Sequence, residues 1–193
     1  MLASDIAEYE VKEAVTPAVP MALPDGSVLF YDRGSTYGEY IIGDDGYPEK
    51  LSGSREWRYL ICAKSDLEGT KQWGPWGISE ELSDTSIGAG DNNTGAMIGK
   101  YTGGFDDYFW DDIQFEMEYG FNCFMPSKDE LNLMFQNKAV IEGLGADAFK
   151  TDTAYWSSSE SDSILAWLQS FVDGYQIDDL KNSMYHCRLI RSI

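Results

Sequence analysis

Tyr155-Trp156-Ser157-Ser158-Ser159-Glu160, followed by Ala166-Trp167-Leu168-Gln169-Ser170-Phe171 and then Val172-Asp173-Gly174, is the stretch on which the fold of this chain turns. The first run is aromatic and then small and polar. The second alternates, and Asp-Gly is a turn signal between strands. At a period of two, Trp167, Gln169 and Phe171 fall on one strand face, with Leu168 and Ser170 on the other. The pattern predicts short strands joined by turns, with Trp156, Trp167 and Phe171 in the core. A last strand-like run, Tyr185 to Ile193, closes the chain.

Working outward, Pro126-Ser127-Lys128-Asp129-Glu130-Leu131 reads as a capping box. Ser127 can accept the backbone N–H of Glu130 while the Glu130 side chain reaches back. Leu131, Met134 and Phe135 then repeat at helical spacing, so a helix is expected to about Asn137 or Ile141. A second helix is expected to open at Asn93 or Thr94 and run through Ala96, Met97 and Ile98. Strands are expected at Ser27 to Tyr31 and Trp57 to Ala63, with loop between them around Asp44-Asp45-Gly46. Phe105 to Gly120 holds Asp106, Asp107, Asp111, Asp112, Glu116 and Glu118 and no base. It reads as a solvated acidic loop, since its carboxylates lack the spacing of an EF-hand calcium site. Residues 1–24 read as an N-terminal arm or linker, with a short helix over residues 4–15 ended by Pro17 and Pro20.

Composition narrows the function. Of 193 residues, 43% are hydrophobic and 24% charged, enough for a real core in one domain. The net charge of −19 repels phosphate backbones and anionic headgroups, which argues against nucleic acid and membrane surfaces as partners. There is no apolar run of membrane-spanning length, so no membrane insertion is expected. Asp5, Glu8, Glu10 and Glu13 stand where a signal peptide would need a positive start, so no export signal is expected in this sequence. Cys62, Cys123 and Cys187 are an odd set without a CxxC pair, read as buried structural thiols. No metal or other cofactor is expected. His186 is the single histidine, so any Ser-His-Asp or Cys-His pair would depend on it.

Several stretches taken together resemble a known family. They are Phe30-Tyr31-Asp32-Arg33-Gly34, Gln72-Trp73-Gly74, Ile87-Gly88-Ala89-Gly90-Asp91-Asn92-Asn93-Thr94 and Met125-Pro126-Ser127-Lys128-Asp129-Glu130-Leu131. Tyr155-Trp156-Ser157-Ser158-Ser159-Glu160, Ala166-Trp167, Phe171, Gly174 and Arg188-Leu189-Ile190-Arg191 complete the set. Their order is similar to that of C-type-lectin-fold domains of bacterial surface proteins, and above all to the variable proteins of diversity-generating retroelements. The resemblance implies an α+β domain over residues 25–193, with short twisted antiparallel strands, two helices and long loops. It also implies that residues 155–193 form a variable ligand-binding region, rewritten by an error-prone reverse transcriptase on a fixed scaffold.

On that resemblance the expected framework is Trp156, Ala166, Trp167, Phe171, Gly174, Lys181, Arg188 and Arg191. The expected variable contacts are Ser161, Ile164, Leu165, Leu168, Ser170, Val172, Asp173, Ile177, Asp178, Asp179, Leu180, Asn182, Met184 and His186. Ile164, Leu165, Ile177, Leu180 and Met184 lie among Asp, Ser and Asn in a turn-rich region, which points to exposure and a contact surface. The alternative is that several of them pack beneath a long loop. Arg188 and Arg191 are expected to hold carboxylates or carbonyls near the chain end.

The implied function is recognition of a macromolecular ligand. The apolar contacts favour a protein over a sugar. Display on a virus particle or cell surface would follow, and the N-terminal arm offers a means of oligomerisation. Catalysis is not expected: formylglycine-generating enzymes of similar fold need two cysteines near the C-terminus, and only Cys187 lies there. The Glu-Pro-Asn, Gln-Pro-Asp and Trp-Asn-Asp triplets of calcium-dependent lectins are missing. The alternative function is a surface or tail domain, without diversification, that binds carbohydrate without calcium.

Overall fold

The structure, a computed structural model, describes residues 15–53, 56–101, 107–118 and 122–193. The helix expected over residues 4–15 falls, but for Val15, outside them. Strand β1 (Met21–Ala22) pairs with β2 (Val28–Asp32) across Leu29 and Val28, so the end of the N-terminal segment joins the main sheet. A hairpin of β3 (Glu39–Ile42) and β4 (Pro48–Ser52) turns at Gly46, whose φ of 84° lies in the left-handed region that glycine tolerates. β5 (Tyr59–Cys62) then enters the core with all four residues buried.

Helices α1 (Ala89–Tyr101) and α2 (Trp110–Glu118) follow, then β6 (Cys123–Phe124), α3 (Lys128–Gln136) and the short α4 (Lys138–Gly143). Three strands, β7 (Ala154–Glu160), β8 (Leu165–Ser170) and β9 (Gln176–Leu180), form a meander, and β10 (Ile190–Ser192) ends the chain. The main sheet has the order β1-β2-β5-β10-β6, and every strand ladder among the described residues is antiparallel. The result is a mixed α+β architecture of mostly antiparallel sheets. The C-terminal strand sits between β5 and β6, so the end of the chain closes the sheet's interior.

The capping box at α3 is complete. Ser127 Oγ accepts the Glu130 N–H, and Glu130 Oε2 accepts the Ser127 N–H at 2.7 Å. Its Oε1 also accepts the Gly88 N–H at 2.8 Å, so one carboxylate ties the starts of α3 and α1 together. The described residues form four α-helices where two were expected. The segment read as an acidic loop contains α2, because Trp110 and Ile113 are buried against Trp73 and Phe109 and packing overrides a polar composition. α1 begins at Ala89, earlier than Asn93; Asn93 and Thr94 are buried inside it and bond to Asp84 and Met125 of neighbouring segments.

Strand β7 explains the Ser-Ser-Ser run. All seven of its residues are buried, in the crowded seam between the meander and the rest of the fold. Ser157 Oγ donates to Trp167 O, Ser159 Oγ donates to Asp84 O, and the Ser158 N–H donates to Pro126 O. Small hydroxyl side chains can satisfy a dry seam that has no room for larger polar groups. On either side, Trp156 packs with Trp73, Leu168 and Leu189, while Tyr155 packs with Phe149 and Phe171. Each fully buried side chain of this size contributes about 1.5–3 kcal/mol.

Three expectations about this region change. Trp167 is only half buried: its outer face carries the Lys128 ammonium, 3.2 Å from the ring centroid. Leu168, expected as a variable contact, is 2% exposed and part of the core with Trp156. β9, unforeseen, runs beside β8 and completes the meander.

Candidate functional site

The expected framework and the expected contacts separate largely by burial. Trp156, Ala166, Phe171, Lys181, Arg188 and the neighbouring Cys187 are enclosed. Arg188 Nε donates to Asp66 Oδ1 at 2.6 Å and Nη1 to Asp147 O at 2.7 Å, with the guanidinium over the Phe149 ring. Arg191 reaches Asp25 and Ser27 more loosely, at 3.4 Å. Gly174 turns the β8–β9 connection with φ 79°, and a Cβ there would lie 2.2 Å from Phe135 Cε1. By contrast Val172, Ile177, Leu180 and Met184 are exposed, as are Asp173 and Asn182.

The fourteen contact positions do not form one face. Cross-strand partners share a face of an antiparallel pair. Leu165 stands opposite Leu180 and Trp167 opposite Asp178 on one side, while Leu168 stands opposite Ile177 and Ala166 opposite Asp179 on the other. Position along the strands divides them further. Val172 and Asp173 occupy the β8–β9 turn, where Ser170 Oγ accepts the Val172 N–H. Leu165 lies at the opposite end, roughly 17 Å away at about 3.3 Å per residue.

That opposite end gathers the largest group. The Ser161 N–H donates to Leu165 O, Ser161 Oγ donates to Asp178 Oδ2 at 2.6 Å, and the Lys181 N–H donates to Ile164 O at 2.9 Å. Ser183 N–H donates back to Leu180 O, which folds Asn182 and Met184 onto the same end. Besides the buried Leu168, two more of the fourteen have structural work to do. Asp179 accepts the Tyr185 hydroxyl at 2.6 Å; burial works against its charge, but this bond and the backbone of Leu180 hold its carboxyl below the usual value. His186 is half buried and lies 5.7 Å from Tyr155, with its backbone bonded to Ala154 and Trp156.

A third strand of chain, the loop of residues 73–82, is fastened to this end. The Trp73 N–H donates to Lys181 O, and the Gly77 N–H to Ser163 O. Beneath it the Lys181 ammonium contacts the Glu160 carboxylate, donates to Ile78 O at 2.7 Å and lies over the Trp73 ring. Glu160 also accepts the N–H groups of Glu80 and Leu82. Burial opposes ionisation of Glu160, but the Lys181 contact and these backbone donors outweigh it and keep its pKa below the ordinary value. Glu80 in turn receives Lys100 and the Tyr101 hydroxyl. The loop thus holds Trp76 and Ile78, 58% and 50% exposed, beside Ser163 and Ile164. Sequence reading placed neither in the site. The available signal was a tryptophan between Pro75 and Gly77, in a turn too short to bury both Trp73 and Trp76.

The three thiols are buried. Burial pushes the Cys62 thiol up to about 12 and Cys123 up to about 11, and also holds Cys187 well above the ordinary thiol value, away from the thiolate a nucleophile needs. Among the described residues no cluster of His, Cys, Asp and Glu could hold a metal ion, and Asp112 of the acidic segment pairs with Lys71 at 2.6 Å. No helix of the described residues is long and apolar enough to cross a membrane. A cavity of about 760 Å³ opens between β4 and the start of α1, lined by Arg33, Lys50, Trp57 and Gly88; none of the fourteen positions lines it.

No protein-family model matches the chain, and no curated protein matches it. Among solved structures, it is similar to a fimbrial protein from Bacteroides ovatus, with a TM-score of 0.51 and 12% sequence identity over 70% of this chain. The match spans 36% of that fimbrial protein's length, and at this identity the likeness concerns the fold alone.

Proposed function

We propose that this chain is a ligand-recognition protein on a C-type-lectin-type scaffold, with its contact surface at the β7–β8 end of the C-terminal meander and its exposed positions rewritten by a diversity-generating retroelement. The observation that carries this reading is the segregation of residues 155–193. Apart from Leu168, the tightly packed or ion-paired positions among those assigned a role are the ones expected to be fixed, while Ile164, Leu165, Asp178, Leu180, Asn182 and Met184 lie at least partly exposed at one end. A rigid frame under replaceable surface residues is what a protein needs if it is to change its ligand without losing its fold. Leu168 belongs with the frame in this reading, and Val172 and Asp173 form a second, separate contact point.

Recognition of a protein, without catalysis, fits the apolar character of these side chains and the unreactive thiols. Display on a cell surface or virus particle fits the same role, and the fimbrial likeness is in keeping with it. The genome around the gene tests the diversification directly. The expected finding is a near-identical copy of the segment encoding residues 155–193, differing at adenines, beside a reverse transcriptase gene. Without such a repeat, the diversification is wrong and a plain recognition domain is left.

A further inference from the structure

We infer that the loop of residues 73–82, which lies outside the expected variable region, supplies a fixed apolar anchor, Trp76 with Ile78, to the recognition surface, and that the surface takes a protein segment pairing apolar with basic side chains. This rests on the reading above that the β7–β8 end is the contact surface.

Three observations support the anchor. First, the loop is rigidly held. The N–H groups of Trp73, Gly77, Glu80 and Leu82, together with the Ile78 carbonyl, are all bonded to residues of the meander. Second, the two residues flanking Gly77 are large, apolar and exposed although their backbone is fixed. A side chain of this kind has already lost part of its freedom before any ligand arrives, so less is lost on binding. Tryptophan is also the side chain most often found to dominate binding at interfaces. Third, Gly77 meets Ser163, and Ile164 O in turn meets Lys181, so the anchor is continuous with Ile164 and Leu180 through backbone hydrogen bonds.

Charge selects the partner. Glu81 and Asp162 are exposed and Asp178 half exposed around this end. The cations that approach it are engaged: Lys181 by Glu160, Lys100 by Glu80, and Lys128 by the Trp167 ring. An apolar centre with an acidic rim is complementary to a partner carrying Lys or Arg around an aromatic or aliphatic residue. A second copy of this chain would bring the same acidic rim. Residues 1–14 carry Asp5, Glu8, Glu10 and Glu13 against Lys12, again the wrong sign.

The test is selection of a random-peptide display library on the full chain, followed by affinities of the selected peptides for variants. Peptides combining Trp, Phe or Leu with Lys or Arg are expected. Their affinity should fall about tenfold or more for Trp76→Ala, less for Trp76→Phe, and not at all for Leu51→Ser, an exposed position on β4 outside the surface. The thermal midpoint of Trp76→Ala should match the wild type, which separates lost contact from lost fold. Peptides that respond to Leu180→Ser with Met184→Ser but ignore Trp76→Ala overturn the anchor and leave the recognition surface standing. Peptides indifferent to both sets overturn both. Acidic peptides, a library that yields none, or a dimer broken by Trp76→Ala would each overturn the inference as well.

Discussion

Lys181 and Glu160 form an ion pair from which water is excluded, with side chains 0% and 3% exposed, and the pair joins β9 to β7 and both to the loop that carries Trp76. Such a pair stabilises only while both members are present, because a lone charge left behind is poorly solvated. Lys181→Ala is therefore expected to cost about 3–5 kcal/mol. Lys181→Met combined with Glu160→Gln should recover a good part of that loss. Denaturant unfolding of the two variants measures the difference; equal losses would mean the pair matters only through packing.

Acid should reveal the same contact. Glu160 has a folded-state pKa below its ordinary value of 4.5, so its contribution is complete above that pH and is lost as pH falls through the lowered folded value. Glu130 runs the other way. Its burial outweighs its hydrogen bonds and raises its pKa, so protonation on acidification favours the folded state. Stability measured from pH 6 downward should fall less steeply in Glu160→Gln than in the wild type, and more steeply in Glu130→Gln.

The division between frame and surface gives a paired stability prediction. Leu168→Ala, in the core beside Trp156, should cost about 2–5 kcal/mol. Leu180→Ala, Met184→Ala and Asn182→Ala should each fall within about 0.5 kcal/mol of the wild type. A costly Met184 or a neutral Leu168 would reverse the assignment.

Gly174→Ala should cost about 1–3 kcal/mol, since it combines a left-handed backbone with a Cβ driven into the Phe135 ring. Phe135→Leu in the same chain should relieve part of the loss, which a thermal-shift comparison of single and double variants would measure.

Elements with a local signature were legible in the sequence. The Ser127–Glu130 box is fixed by residues three apart, and the β8–β9 turn by Asp173-Gly174. What was not legible depended on distant partners. α2 looks like an acidic loop until Trp110 and Ile113 meet Trp73, and β9 reads as polar turn until Ile177 and Leu180 pair across to Leu168 and Leu165. The site divides in the same way. Exposure of Leu180 and Met184 followed from their polar neighbours, whereas burial of Leu168 followed from Trp156 opposite it. Trp76 and Ile78 were missed because only the fold brings the loop of residues 73–82 beside Ser163.

The most direct test of the recognition surface is deep sequencing of the 3′ end of this gene across a natural population. Substitutions are expected to concentrate at Ser161, Ile164, Leu165, Asp178, Leu180, Asn182 and Met184, with Trp156, Leu168, Gly174, Lys181 and Arg188 constant. An evenly quiet or evenly drifting 3′ end, or changes spread through the buried positions, would contradict it.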